Sequence, residues 1–106
     1  MDLEQVAFNI ILHAGNARSS YFEALGMARE EKFPEARERI AEAKKELVEA
    51  HRIQTHLLQQ EAGGTRQEMS LLLIHAQDHL MTAILAQDLI QEMILMYEKH
   101  ASYTAN

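Results

Sequence analysis

The chain has 106 residues, 47% hydrophobic and 25% charged, and this size and composition are those of one compact globular domain. Its formal net charge of −6 argues against a nucleic-acid partner, because phosphate binding requires clustered Lys and Arg. The absence of cysteine excludes disulfides, thiolate metal sites and a cysteine nucleophile.

The pattern predicts an all-α fold, because Ala, Glu, Leu and Gln are frequent and strand-type alternation is lacking. The first helix is predicted over about residues 3–30, with Asp2 as its N-cap and Gln5 placed for the reciprocal bond of a capping box. Its core stripe is predicted to contain Val6, Ile10, His13, Ala17 and Leu25. Gly15 and Gly26 weaken the helix, so a neighbouring helix is expected to pack closely there.

The second helix is predicted over about residues 34–61. Pro34 is tolerated in a first helical turn, and Gly63 and Gly64 end the helix. The many charges of its first half, residues 35–46, are interpreted as a solvated face with Glu-to-Lys and Glu-to-Arg neighbours.

The third helix is predicted over about residues 66–100, opened by a Thr65-x-x-Glu68 capping box, with residues 101–106 as a fraying tail. Because the connections are short, the three helices are expected to form an up-down-up antiparallel bundle that occupies residues 1–106 as a single domain.

The third helix is apolar on nearly every side. Between Met69 and Gln91 its only formal charges are Asp78 and Asp88. Two partner helices cannot cover such a surface, so we expect the bundle to self-associate through this helix, most simply as a closed symmetric oligomer.

The sequence also predicts a soluble protein. The start of the chain lacks a basic segment followed by an apolar one, so no signal peptide is expected. The two aspartates of the third helix interrupt the best candidate for a membrane-spanning run.

Two histidines and a carboxylate interrupt the apolar third helix. At 3.6 residues per turn, His75, Asp78 and His79 share one face, with Thr82 one turn further on. Ionisable groups on an apolar helix are costly unless they are used or paired, so this face is the candidate functional site.

The spacing leaves three interpretations of this cluster open. A neutral imidazole can accept a phosphoryl group while a neighbour sets its tautomer. Histidines at i and i+4 with an intervening aspartate can bind a metal ion. The cluster can also consist of core histidines hydrogen-bonded to a buried aspartate. The histidines of the first two helices lack such acidic neighbours and are interpreted as structural or solvated: His13, His51 and His56.

Three segments resemble the lactose/cellobiose-type enzyme IIA proteins of the bacterial sugar phosphotransferase system. Residues 74–82 (Ile-His-Ala-Gln-Asp-His-Leu-Met-Thr) closely resemble the hallmark of that family. Residues 15–19 (Gly-Asn-Ala-Arg-Ser) are similar to its first helix, and residues 49–55 (Glu-Ala-His-Arg-Ile-Gln-Thr) to its second. Ala76 within the hallmark favours the cellobiose/chitobiose side of the family.

The resemblance implies a phosphocarrier enzyme. Members take a phosphoryl group from the phosphocarrier protein HPr and pass it to a cysteine of the cognate enzyme IIB, and the membrane-bound IIC imports and phosphorylates the sugar. The phosphorylated histidine corresponds to His75, and His79 is a possible assistant. The resemblance also implies a cytoplasmic location with no direct membrane insertion.

The resemblance further implies a homotrimer, a nine-helix assembly with a shared metal ion. Asp78 corresponds to the carboxylate that lies near the trimer axis and helps bind a divalent cation, expected to be Mg²⁺. Three copies of Asp78 close to the trimer axis would repel one another strongly in a low-dielectric environment. A bound cation, or protonation of some copies, would reduce this repulsion. The alternative function is a non-catalytic metal-binding helical oligomer, in which His75 would be a ligand.

Overall fold

Three long α-helices make up the computed structural model of the chain, which describes residues 2–104. They are α1 (Leu3–Arg29), α2 (Phe33–Ala62) and α3 (Leu71–Thr104). They pack as an up-down-up bundle about 60 Å long and 20 Å wide, and no strand occurs within residues 2–104. The predicted all-α three-helix bundle is therefore confirmed.

α1 begins at the predicted N-cap. The Asp2 carboxylate accepts a hydrogen bond from the backbone N–H of Glu4 at 3.0 Å. The predicted reciprocal bond of Gln5 is not formed, because its amide donates to Asn9, one helical turn further along. A single side-chain cap therefore starts this helix.

α1 ends in a Schellman motif built on a non-glycine residue. Glu31 adopts a left-handed conformation with φ 62°, and the Lys32 N–H returns to the Met27 carbonyl at 2.8 Å. This turn reverses the chain, and α2 then starts at Phe33 with Pro34 in its first turn, as the sequence predicts.

α2 ends in the same motif, with glycine at the left-handed position. Gly64 has φ 101°, and the Thr65 N–H donates to the Gln60 carbonyl at 2.9 Å. The glycine pair therefore ends the helix as predicted, within one residue of the expected boundary.

The predicted start of α3 is wrong. Thr65 cannot open a helix because its N–H completes the end of α2, and residues 65–70 are irregular. Ser70 is the N-cap instead: its hydroxyl accepts from the Leu73 N–H at 3.1 Å, and its carbonyl accepts from Ile74.

α3 also ends later than predicted. The expected tail contains no Gly or Pro, and the helix continues from His100 to Thr104, so His100 lies before the last turn. Ala105 and Asn106 lie outside the described residues.

Small residues dominate the core and let the helices approach closely. The fully buried alanines are Ala7, Ala14, Ala17, Ala24, Ala28, Ala36, Ala43, Ala50, Ala76 and Ala83, and the largest fully buried side chains are Tyr21, Ile10 and Leu80. α1 packs extensively against both other helices, whereas the contact between α2 and α3 is narrow. The first helix is therefore the centre of the bundle within one chain.

The close approach expected at two glycines of α1 is not made within the described chain. A Cβ atom at Gly15 would meet nothing within 4 Å, and one at Gly26 would meet only the Arg29 guanidinium at 3.6 Å. Residues 2–104 thus contain no helix that uses the space over Gly15.

One side of α3 remains apolar and uncovered, as the sequence predicts. We call it the outer face; its exposed residues are Leu71, Asp78, Leu85, Leu89, Glu92 and Met96. α3 is long and apolar enough to cross a membrane, but a helix that lines the core of a soluble oligomer has the same composition.

Candidate functional site

His75 lies in the second turn of α3 with an exposed side chain. Its ring meets that of His79 edge to face, with centroids 5.1 Å apart and an interplanar angle of 82°. The structure thus brings the two predicted histidines together and leaves the His75 side chain exposed.

His79 is half-buried and turned toward the bundle. Its Nδ1 atom is buried and has no hydrogen-bond partner within residues 2–104. Because Nδ1 is buried, Nε2 is the ring nitrogen that a group outside the bundle can contact.

Asp78 projects from the outer face of α3, away from the core. Its carboxylate forms none of the described ion pairs, which involve other residues. Residues 2–104 also contain no group of three or more His, Asp or Glu side chains that could hold a metal ion. One chain by itself therefore contributes a single exposed carboxylate here.

The hydroxyl of Thr82 is used by the helix itself. Thr82 Oγ1 donates to the carbonyl of Asp78 at 2.9 Å and to that of His79 at 3.2 Å. Thr82 therefore shares the predicted face but holds its hydroxyl against the backbone.

Gln77 points away from His75, as the helical spacing predicts, and has a partner that the sequence did not reveal. Gln54 of α2 is buried and donates from Nε2 to Gln77 Oε1. The same amide nitrogen lies 3.9 Å from the sulfur of Met81. The similarity of residues 49–55 to the family segment was the available signal, but it gave Gln54 no role.

An apolar groove between α1 and α3 continues from the site toward the far end of the bundle. The α1–α3 groove has a volume of about 340 Å³ and is lined by Arg18, Phe22, Leu25, Thr82, Leu85, Ala86, Leu89, Ile90 and Met93. The Arg18 guanidinium lies 6.0 Å from the Phe22 ring centroid. The positive charge of Arg18 therefore lies in this groove, next to the apolar surface that borders the outer face.

A second groove lies on the opposite side of α3. The α2–α3 groove also has a volume of about 340 Å³, and it is lined by Lys44, Leu47, Val48, His51, Ile84 and Gln87. Different apolar surfaces therefore flank the outer face on its two sides.

The charged residues elsewhere mostly serve the fold. His13 Nδ1 lies 2.6 Å from Glu46 Oε2 and joins α1 to α2, which agrees with its structural interpretation. Hydrogen bonds from Arg52 lower the pKa of Glu49, and the same bonds raise the pKa of Arg52. Segment 49–55 thus has a surface ion pair next to the buried Gln54.

Among residues 2–104, Tyr21 has the largest pKa shift. Burial, with a smaller contribution from the Asp88 charge, raises its pKa from 10.0 to about 12. Its hydroxyl is buried and has no hydrogen-bond partner within residues 2–104. This residue lies in the core of the bundle and not at the histidine pair.

Residues 5–98 match the family described as "PTS system, Lactose/Cellobiose specific IIA subunit". The chain is 50% identical over 98 residues to the lichenan-specific phosphotransferase enzyme IIA component of Bacillus subtilis (strain 168), covering 92% of this chain and 89% of that protein.

Solved structures agree. The crystal structure of the PTS cellobiose-specific enzyme IIA from Bacillus anthracis matches with a TM-score of 0.92 and 48% identity, covering 96% of this chain and 94% of that chain. The IIA(Chitobiose) chain from the solution structures of its HPr complex, from Escherichia coli, matches with a TM-score of 0.80 and 40% identity, covering 93% of this chain and 96% of that chain. With its fold, its histidine pair and its relatives in agreement, the chain belongs to the lactose/cellobiose-specific IIA family of the bacterial phosphotransferase system.

Proposed function

We propose that this protein is a phosphocarrier whose His75 accepts a phosphoryl group from phospho-HPr and passes it to a cysteine of the cognate enzyme IIB. In the first step the phosphorus–nitrogen bond of HPr breaks as one forms to the His75 imidazole. In the second step the cysteine sulfur takes the phosphoryl group, and the phosphorus–nitrogen bond to His75 breaks.

The exposure of His75 is the observation that carries this proposal. A carrier must meet two proteins in turn with the same imidazole, so that ring has to project from the surface. Such a transfer needs positioning and charge stabilisation more than further covalent chemistry. The solved HPr complex of the chitobiose relative supports HPr as the donor.

His79 is proposed to assist. Because its Nδ1 is buried, Nε2 is the ring nitrogen left to reach the neighbouring site, and it would donate a hydrogen bond there when it carries the proton. A donor one turn from His75 would stabilise the oxygens of the phosphoryl group.

A homotrimer is proposed to cover the outer face of α3. Exposed apolar residues of this face follow a heptad spacing, with Leu71 and Leu85 two heptads apart and Leu89 and Met96 one heptad apart. Such a spacing favours association of parallel helices. The two different grooves beside this face favour a ring in which one side of each chain meets the other side of the next.

The trimer would explain the position of Asp78. Its exposed carboxylate is a hard oxygen ligand suited to Mg²⁺, and three chains would bring three copies to one axis. When bound there, a divalent cation would neutralise the repulsion between the carboxylates. We assign it this assembly role and no part in the transfer itself.

We place the protein in the cytoplasm, beside a membrane-bound IIC that it reaches through IIB. Its net charge of −6 favours basic docking surfaces on its protein partners.

Incubation with enzyme I, HPr and labelled phosphoenolpyruvate tests the proposal. We expect one acid-labile, base-stable label per chain, on His75, and its loss when IIB is added. A chain that takes up no label in the presence of active phospho-HPr would instead support the non-catalytic metal-binding oligomer.

A further inference from the structure

We propose that Gln54 and Gln77 form a positioning pair that fixes the rotation of α3 about its own axis and thereby aims His75. The effect on phosphoryl transfer rests on the proposed function, whereas the effect on α3 does not. Neither glutamine is proposed to touch the phosphoryl group.

The pair has the features of a specific polar contact. Gln54 is the one buried polar side chain in the part of the chain that the structure describes, with 8% of its surface exposed. Its Nε2 faces two acceptors on α3, the Gln77 oxygen and the Met81 sulfur. A sulfur atom of methionine can only accept, so the direction of the Gln54 amide is defined.

The packing of α3 explains why such a contact matters. α3 packs mainly on α1, and its contact with α2 is narrow. The buried residues of α3 are all apolar, both small ones such as Ala76 and large ones such as Leu80. The burial of apolar surface is not directional in itself. A hydrogen bond on the α2 side, in contrast, tolerates little rotation.

The position of the pair on α3 also links it to the placement of His75. Gln77 is two residues from His75, so the two side chains project on nearly opposite sides of α3. With side chains about 6 Å from the helix axis, a rotation of about 15° would displace the His75 ring by roughly 1.5 Å. A misplacement of about 1 Å can reduce a transfer rate about 100-fold.

Four variants test the inference. Q77L alone leaves the buried Gln54 amide with only the Met81 sulfur as an acceptor, so we expect a lower melting temperature. Q54L/Q77L replaces both partners with apolar groups of similar shape, which should preserve stability. Q60L/Q67L is the matched control, because it removes another part-buried glutamine pair that does not include a residue of α3. In this pair Gln67, in the segment before α3, donates to Gln60 of α2 at 3.0 Å. H75Q defines the background rate.

The measurement is labelling by phospho-HPr, separated into kcat and KM, together with a crystal structure of each stable variant. For Q54L/Q77L we expect a melting temperature like that of the original protein, a kcat at least about tenfold lower, a KM changed less, and a rotated α3. For Q60L/Q67L we expect an unchanged kcat.

Transfer at the original rate by Q54L/Q77L would overturn the inference, as would a slow variant in which α3 keeps its rotation. If the original protein takes up no phosphoryl group at all, the proposed function fails. A rotated α3 in the double variant would then still support the positioning role, and an unrotated helix would refute it.

Discussion

His79 lies edge to face against His75, one helical turn away, with the ring centroids 5.1 Å apart. The two imidazoles have different surroundings, because His75 is exposed whereas the Nδ1 atom of His79 is buried. This difference favours His75 as the proposed nucleophile and His79 as its proposed assistant.

Separate substitutions of the two histidines should therefore have unequal effects. We expect H75Q to abolish labelling by phospho-HPr, because the exposed imidazole is lost. We expect H79L to be labelled about 10–100-fold more slowly, since it loses the proposed donor beside the phosphoryl group. Rate measurements with mass-spectrometric mapping of the label distinguish them; label on His79 in H75Q would reverse the assignment.

Replacing Asp78 with leucine should separate assembly from metal binding. D78L removes one of the two carboxylates of the outer face and extends its apolar surface, so the oligomer should be retained and its melting temperature should rise by about 5 °C or more. Sedimentation and elemental analysis test this, with D88L as a control at the other aspartate of α3. Bound metal that persists in D78L would exclude Asp78 as its ligand.

The ends of α1 and α2 predict opposite effects of substitutions at equivalent positions. Glu31 and Gly64 both occupy the left-handed position of a Schellman motif. A side chain costs about 1 kcal/mol in this conformation, so E31G should stabilise the protein by about that amount and G64A should destabilise it similarly. Thermal unfolding at one fixed protein concentration measures both; a destabilised E31G would contradict the assignment.

Tyr21 should make the protein sensitive to alkaline pH. Because burial raises its pKa to about 12, the folded state holds the phenolic proton more tightly than the unfolded state, where the pKa is near 10. Its contribution to stability should be complete below pH 10 and disappear as the pH rises toward 12. The free energy of unfolding of Y21F, measured with denaturant at several pH values, should not show this loss between pH 10 and 12. Identical pH profiles for the two proteins would refute the role of Tyr21.

The parts of the fold that could be predicted were those with local causes. Asp2, Pro34 and the Gly63–Gly64 pair each act on the residues beside them, so they located helix ends within about one residue. The start of α3 was mispredicted because Thr65 fits the capping-box pattern, but its N–H donates a hydrogen bond to the end of α2. Two local signals competed there, and the sequence does not show which one prevails.

The site was predicted only where it lies on one helix. Helical spacing placed His75 beside His79 and turned Gln77 away, and the structure agrees with both. Gln54 could not be assigned because its role depends on which face of α2 meets α3. The proposed metal binding by Asp78 at a trimer axis stays a prediction, since it requires three chains.

The position of the Ser70 cap has a consequence for heat inactivation. His75 lies only five residues beyond this cap, and the first turns of a helix open more readily than its middle. The site can therefore lose its geometry by local opening while α1, α2 and most of α3 remain folded. On warming, the capacity to carry a phosphoryl group should disappear several degrees before the helical signal does, and it should return on cooling.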